Sequence, residues 1–215
     1  MKRWYDDACG TAFAMELIGE RWALLVVREL MFGPRRFGDL RASLNGISAN
    51  VLTQRLAGLE QAGIVIRRKL PPPASVWVYE LTPWGYESEE AIKALGRWAT
   101  RSPAHDPTLP LSATSLMLSF RTMYAGGIEA VIGFRLEGEG FVACATRDEI
   151  AIRRDQPEAV DVTFSGSPMA IASIVYGGRP IGAAQDSGDL RLEGNRRLAE
   201  DFVKLFPLPQ KTDMM

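Results

Sequence analysis

The residues best suited to chemistry lie about a quarter of the way along the chain, and they form a hydrogen-bonding set rather than a catalytic one. Five of them occur within eight positions: Ser48, Asn50, Thr53, Gln54 and Arg55. Asn and Gln can pair with adenine through two hydrogen bonds in the major groove of DNA, and Thr can touch a thymine methyl group. Arg55 sits at the flank, where it could reach a phosphate or support the turn. The chemistry expected is recognition of DNA bases.

A helix has to present these side chains on one face. Ser48 is a good N-cap, and Gly63 is a stop signal, so a helix is predicted from Ser48 to about Ala62. Its apolar face consists of leucines, and the amide and hydroxyl side chains lie on the opposite side. An ordinary amphipathic surface helix has the same pattern, so this helix alone does not decide the function.

The neighbouring elements decide between these interpretations. A short helix over Gly38–Leu44 and an Asn45-Gly46 turn precede the polar helix. Two strands follow, Ile64–Ile66 and Val76–Tyr79, with a proline-rich tip between them. This order is typical of a winged helix-turn-helix. Three basic residues lead into the tip, and we expect them to contact the DNA backbone or the minor groove: Arg67, Arg68 and Lys69.

The charge distribution supports a polyanionic partner. The net charge of the chain is −1, but seven basic and only two acidic residues lie between positions 35 and 69. A local basic region on a nearly neutral protein suits phosphate contacts, which release counterions from DNA.

Further helices surround this region. Helices are predicted over 8–18 and over 20–32, the second with a buried face made of Trp22, Leu25, Val26 and Leu30. Thr82-Pro83 begins another, which carries an apolar stripe: Trp84, Ala91, Leu95 and Trp98. The stripe packs either on its own domain or on a second copy. We favour a second copy, because helix-turn-helix proteins usually read two half-sites as dimers.

A proline-rich linker over 102–110 separates two domains, with a boundary predicted near residue 106. The domains are therefore 1–106 and 107–215. The second is predicted to contain a helix over Leu111–Tyr124 and then four strands in an antiparallel meander. A helix that begins at Ser167-Pro168, a strand over Asp189–Glu193 and a last helix complete it. The predicted fold class is α+β.

The first half resembles the HxlR-type winged helix-turn-helix regulators of bacteria. The resemblance rests on G-E-R-W-A-L-L-V-V-R-E-L, G-P-R-R-F-G-D-L, N-G-I-S, V-L-T-Q-R-L-A-G-L-E-Q-A-G-I-V-I-R and Y-E-L-T, and covers about residues 9–100. It implies a homodimer that binds double-stranded operator DNA through the recognition helix and the wing. It also implies dimer contacts from the segments around 8–18 and 83–101.

One departure concerns a cysteine. Many members of that family have Cys-Pro near the N-terminus, and some use the cysteine to sense oxidants or electrophiles. This chain has Cys9-Gly10, and a small buried apolar role is the expectation for Cys9. A second departure is the tip, where Pro71-Pro72-Pro73 is richer in proline than is usual.

The second half resembles sterol-carrier-protein-type domains over about residues 111–206. The resemblance rests on V-D-V-T-F-S-G-S-P, G-G-R-P, L-R-L-E-G-N and F-V-K-L-F. It implies an antiparallel sheet with helices and, in lipid-carrying members, an apolar cavity. Two roles stay open here: a small apolar effector binds in the domain, or the domain is closed and serves only packing or dimerisation. The resemblance identifies no ligand-binding residues.

The prediction for the whole chain is a homodimeric, sequence-specific transcriptional regulator, controlled by a small apolar effector if the cavity exists. The alternative is a lipid or acyl-chain carrier with a vestigial DNA-binding fold. An enzyme is not expected, since the chain has one histidine, His105, and lacks a zinc cluster, a phosphate loop and a nucleophile elbow. No cofactor, metal or membrane partner is expected. Two cysteines and an N-terminus without a leader pattern indicate a cytoplasmic protein.

Overall fold

The computed structural model describes residues 5–213 of the chain. Met1–Trp4, part of the segment from which the lack of a leader was predicted, lie outside the described residues. The chain divides into two compact units after Ile92, and the domain boundary near 106 stays a prediction. Within the described range, no helix has the length and apolar character needed to cross a membrane.

The first unit has the predicted order of elements. It contains α1 (Gly10–Ile18), α2 (Ala23–Leu30), α3 (Phe37–Ser43), α4 (Ala49–Gln61), β1 (Val65–Lys69), β2 (Trp77–Leu81) and α5 (Pro83–Glu87). Helix α6 (Glu89–Ala99) contains the division between the units. The strands β1 and β2 pair antiparallel as a hairpin. Together these elements make the winged helix-turn-helix, which confirms the predicted fold of the first half.

Local chemistry explains where these helices begin and turn. The Ser48 hydroxyl accepts a hydrogen bond from the Val51 N–H (3.3 Å), so Ser48 is the N-cap of α4 as predicted. Gly46 has φ +88° and forms the turn between α3 and α4, since glycine adopts this conformation without strain. The leucines of α4 are buried and form the core with α2: Leu52, Leu56 and Leu59 with Val26 and Leu30.

Three details of the first unit differ from the predictions. The first strand, predicted over Ile64–Ile66, extends as β1 to Lys69 and therefore contains Arg67, Arg68 and Lys69. The helix predicted from residue 20 begins only at Ala23, because Trp22 has φ +79°, and Leu25 is exposed rather than buried. The helix after the hairpin is broken into α5 and α6 at Ser88, whose hydroxyl donates to the Gly85 carbonyl (2.6 Å) and competes with the helical bonds there.

The second unit combines a five-stranded sheet with helices. After α6 it contains α7 (Ala113–Met123), β3 (Ala130–Leu136), β4 (Glu139–Ala145), β5 (Ile150–Arg154), β6 (Val162–Gly166), α8 (Pro168–Val175), α9 (Ile181–Asp186), β7 (Leu190–Gly194) and α10 (Arg196–Phe202). The strand order is β5-β4-β3-β6-β7. The α+β class is confirmed, while α9 was not predicted.

The meander prediction is right for β3, β4 and β5 and wrong for β6, which pairs parallel with β3. To reach that place, the connection over 155–161 crosses the outer face of β4 and β3. Glycines make room for it. A Cβ at Gly133 would lie 2.5 Å from Pro157, and one at Gly140 would lie 2.6 Å from the Asp155 carbonyl oxygen. A side chain at either glycine would therefore push the crossing connection off the sheet.

Aromatic rings fill the other face of this sheet. Five phenylalanines contact one another there: Phe120, Phe134, Phe164, Phe202 and Phe206. The ring centroids of Phe120 and Phe206 are 4.5 Å apart, and those of Phe202 and Phe206 are 4.9 Å apart. All five rings are buried, so they form the centre of the core of the second unit.

Candidate nucleic-acid interface

Helix α4 presents a polar face to solvent. Asn50, Thr53 and Gln54 are exposed, as are Ala57 and Gly58 one turn further on. Among the described residues the Asn50 and Gln54 amides make no hydrogen bond, so both stay available to pair with base edges. The Thr53 hydroxyl donates to the Ala49 carbonyl (2.9 Å), which leaves its methyl group as the contacting part. Base recognition by these residues stays a prediction that this geometry supports.

The structure places Arg55 differently from its neighbours. Its Nε donates to the carbonyl oxygen of Arg21 (3.0 Å), and its Nη2 lies 3.0 Å from a carboxylate oxygen of Glu20. The side chain is 23 % exposed. Of the two roles predicted for Arg55, the contacts of this side chain correspond to support of a turn.

The three basic residues of β1 also differ from one another. Arg68 forms an ion pair with Glu80 on the neighbouring strand, and this contact raises the pKa of Arg68. Arg67 has no carboxylate partner among the described residues, and its guanidinium lies over the rings of Trp77 (4.8 Å) and Tyr79 (5.9 Å). Lys69 is exposed and opposite Trp77 in the hairpin. Arg67 and Lys69 are therefore the better placed cations for a phosphate.

Ion pairs with acids from outside residues 35–69 reduce the net positive charge around this stretch. Three of its seven basic residues pair with acids that lie outside this stretch: Arg35 with Glu29, Arg55 with Glu20, and Arg68 with Glu80. Sequence reasoning also missed two exposed cations, Arg36 at the N-cap of α3 and Arg41 in its last turn. Neither has an acidic partner among the described residues. Their position next to the helix-turn-helix was the signal that could have identified them.

Apolar side chains are exposed on the elements predicted to form the dimer. In α6, Trp98 is 72 % exposed and Leu95 is 44 % exposed; in α5, Trp84 is 48 % exposed. Helix α1 contains no buried residue, and it exposes Phe13 and Met15. Exposed side chains of this size, repeated on one helix, are typical of a surface that binds another protein.

Cys9 is exposed, so the expected buried role is wrong. It precedes α1 as the N-cap residue and makes no capping hydrogen bond. The backbone N–H groups of Ala12 and Thr11 are nevertheless close enough to stabilise the thiolate and to hold the pKa of Cys9 below the usual value of a thiol.

Comparisons with known proteins match the first half of the chain to one family. The profile of the HxlR-like helix-turn-helix family matches residues 17–106. YtfH of Escherichia coli, an uncharacterised HTH-type transcriptional regulator, is 33 % identical over 94 residues, which is 44 % of this chain and 75 % of YtfH. The chain belongs to the HxlR-like helix-turn-helix family. Another relative of this HxlR-like protein, the HTH-type transcriptional regulator YodB of Bacillus subtilis, is 36 % identical over 86 residues, or 40 % of this chain and 77 % of YodB.

The second unit matches a different family. The profile of the SCP-2 sterol transfer family covers residues 124–207 of this HxlR-like protein, which agrees with the sterol-carrier-type domain predicted there. Among solved structures, the reduced form of YodB from B. subtilis aligns with a TM-score of 0.42 and 32 % identity, over 46 % of this chain and 100 % of that one.

Proposed function

We propose that this HxlR-like protein is a transcriptional regulator that binds double-stranded operator DNA as a homodimer. Helix α4 reads bases in the major groove with Asn50, Thr53 and Gln54, and the hairpin contacts the backbone with Arg67 and Lys69. The observation that carries the proposal is the exposed face of α4, where the Asn50 and Gln54 amides make no hydrogen bond to any residue within 5–213 and acidic residues are absent. The relatives named as HTH-type transcriptional regulators support it.

The dimer is supported by the exposed apolar side chains of α1, α5 and α6. Two copies related by a two-fold axis would place two recognition helices on half-sites ~34–36 Å apart, one turn of B-DNA. Ser48 would then lie at the N-terminus of a thirteen-residue helix, where backbone N–H groups and the helix dipole favour a phosphate.

The second unit is proposed to receive a small apolar effector. The match to the SCP-2 sterol transfer profile and the apolar side of the sheet support this role. Five phenylalanine rings occupy that side, so entry of a ligand requires some of them to move. An effector regulates DNA binding only if it prefers one arrangement of the dimer over another.

The test is fluorescence anisotropy of the full-length protein with a labelled duplex taken from the DNA that precedes its own coding sequence. The logarithm of the binding constant should fall linearly with the logarithm of the salt concentration. A duplex of scrambled sequence should bind at least ~1,000-fold more weakly. Gln54→Ala should reduce this preference. The matched control is Gln61→Ala in the last turn of α4, which should leave the preference unchanged, because the N-terminal part of a recognition helix contacts the bases.

Equal binding to both duplexes would refute sequence-specific recognition. Negligible binding to any duplex, together with an apolar molecule detected in the purified protein by native mass spectrometry, would instead support the carrier alternative.

A further inference from the structure

The turn between α1 and α2 has a strained backbone. It consists of Glu20, Arg21 and Trp22, and Trp22 has φ +79°, in the left-handed region that large side chains rarely adopt. Such a conformation is strained relative to ordinary backbone, and it persists only where the surrounding contacts fix it. The contacts around this turn therefore identify the groups that stabilise its strained conformation.

The turn and the second helix of the helix-turn-helix both approach this segment. The indole of Trp22 approaches the turn between α3 and α4, since a Cβ at Gly46 would lie 3.9 Å from Trp22 Cη2. Arg55, in the second turn of α4, donates from Nε to the Arg21 carbonyl (3.0 Å) and places Nη2 3.0 Å from the Glu20 carboxylate. The guanidinium thus holds both a backbone and a side-chain oxygen of the strained turn.

The Arg55 contacts are directional, whereas the contacts of the leucine face of α4 are not. Leu52, Leu56 and Leu59 fix how deeply the helix is buried, but packing of apolar side chains is only weakly directional. A planar guanidinium with two oriented hydrogen-bond partners is strongly directional. Arg55 follows Gln54 directly in sequence, so a fixed Arg55 also fixes the direction in which Gln54 projects.

We propose that Arg55 is a positioning residue that sets the rotation of α4 about its own axis and does not itself contact DNA. A rotation of about 10° moves a side-chain tip ~5–6 Å from the axis by about 1 Å. That displacement is enough to spoil a bidentate contact with a base, whose donor–acceptor distances vary by only a few tenths of an ångström. The role rests on the proposed DNA-binding function of α4 and specifies how its reading face is aimed.

A direct phosphate contact by Arg55 is the competing role. A guanidinium binds phosphate best through two parallel N–H groups, and two of its nitrogens are already engaged. The nearby Glu20 carboxylate would also repel a phosphate. The two roles differ in salt dependence, because each phosphate contact contributes about 0.9 to the slope of log K against log salt concentration.

The experiment compares wild type, Arg55→Lys, Arg55→Ala and Glu20→Gln as full-length proteins on the labelled duplex at several salt concentrations. Lysine keeps the charge but lacks the planar guanidinium, whose Nε and Nη2 hold the two partners in a fixed geometry. We expect Arg55→Lys and Arg55→Ala to lose affinity for the specific duplex to a similar degree, on the order of ten-fold. The salt slope and the affinity for the scrambled duplex should equal those of wild type, and Glu20→Gln should show a smaller loss of the same kind.

Two results would overturn the proposal: wild-type affinity in Arg55→Lys, or a salt slope reduced by about 0.9 in Arg55→Ala. Urea unfolding of each variant shows which ones are folded under the binding conditions. If Arg55→Ala is unfolded there, Arg55→Lys and Glu20→Gln decide the outcome. Failure of the wild-type protein to bind any duplex would count against the proposed function itself, which separates the two failures.

Discussion

Glu29 offers a sharp test of how the first unit is held together. Its side chain is fully buried in α2, where one carboxylate oxygen lies 2.8 Å from Arg28 and the other 3.6 Å from Arg35. Arg35 is itself only 8 % exposed, and its backbone exchanges hydrogen bonds with Tyr79 in β2 (2.9 and 2.8 Å). The carboxylate therefore stabilises the residue that connects α2 to the hairpin. The perturbation is Glu29→Gln, which removes the charge and keeps the volume.

The expected cost follows from the burial of the partner that remains. Removing one member of a buried ion pair typically destabilises a protein by ~3–5 kcal/mol, because the other charge is left uncompensated away from water. In Glu29→Gln the buried charge that loses its carboxylate is Arg35. In Arg28→Ala the buried Glu29 carboxylate keeps Arg35 as a counter-charge, and solvent screens the lost contact because Arg28 is about one quarter exposed, so the cost should be only about 1 kcal/mol.

Urea unfolding followed by tryptophan fluorescence is the appropriate assay. All five tryptophans lie within the first 98 residues, so the signal reports the first unit and α6. With a slope of ~1–3 kcal/mol per molar urea, the loss of ~3–5 kcal/mol in Glu29→Gln should lower the midpoint by roughly 1–5 M. The double variant Glu29→Leu/Arg35→Met should recover most of this loss, since apolar replacement of both members is often neutral or stabilising.

Two results would refute the reasoning. The first is a cost for Glu29→Gln of less than about 1 kcal/mol, the value expected of an exposed pair. The second is a cost for Arg28→Ala equal to that of Glu29→Gln, which would show that the exposed arginine, and not Arg35, is the essential partner.

Three further predictions concern other parts of the molecule. Trp98→Glu should convert the proposed dimer to a monomer in sedimentation velocity, because it puts a charge on the proposed contact surface. The control is Trp77→Glu in the hairpin, which should leave the dimer intact because Trp77 lies outside that surface. A wild-type protein that sediments as a monomer would contradict the proposed dimer. The Ala12 N–H lowers the pKa of Cys9, so in a Cys144→Ser background iodoacetamide should modify the Cys9 thiol at lower pH than a free thiol; an ordinary pH profile would contradict this. Phe206→Ala should destabilise the second unit by ~3–5 kcal/mol, because the ring is buried against Phe120. Thermal unfolding followed by circular dichroism measures this loss. A loss below ~1 kcal/mol would contradict the prediction, because it would mean that neighbouring side chains fill the cavity.

Much of the first unit could be predicted from sequence because its signals are local. The Ser48 cap, the Gly46 turn and the leucine spacing of α4 each act within a few residues. The partners of the arginines could not be predicted in this way. Arg55 pairs with Glu20 and Arg68 with Glu80, and neither acid lies in the stretch whose charge was counted.

In the second unit, too, local sequence signals predict the strands but not the place of β6 in the sheet. Strand positions follow from alternation and turn residues, and β3, β4 and β5 occur in the predicted order. The place of β6 depends on a connection that packs over Gly133 and Gly140. In sequence, each of these glycines only lowers the expected stability of its strand. The structure shows that each leaves room for the crossing segment.

That crossing connection also has a consequence for the order in which the chain folds. The hairpin of the first unit and the hairpins among β3, β4 and β5 join residues close in sequence, whereas the parallel pair joins Phe134 to Phe164, thirty positions apart. Contacts of long sequence separation are slow to form, because a loop must close before they contribute. We expect the hairpins among β3, β4 and β5 to form first on refolding, while the pairing of β6 with β3 completes this sheet later. During that interval β3 exposes an unpaired edge, the type of surface on which chains associate incorrectly.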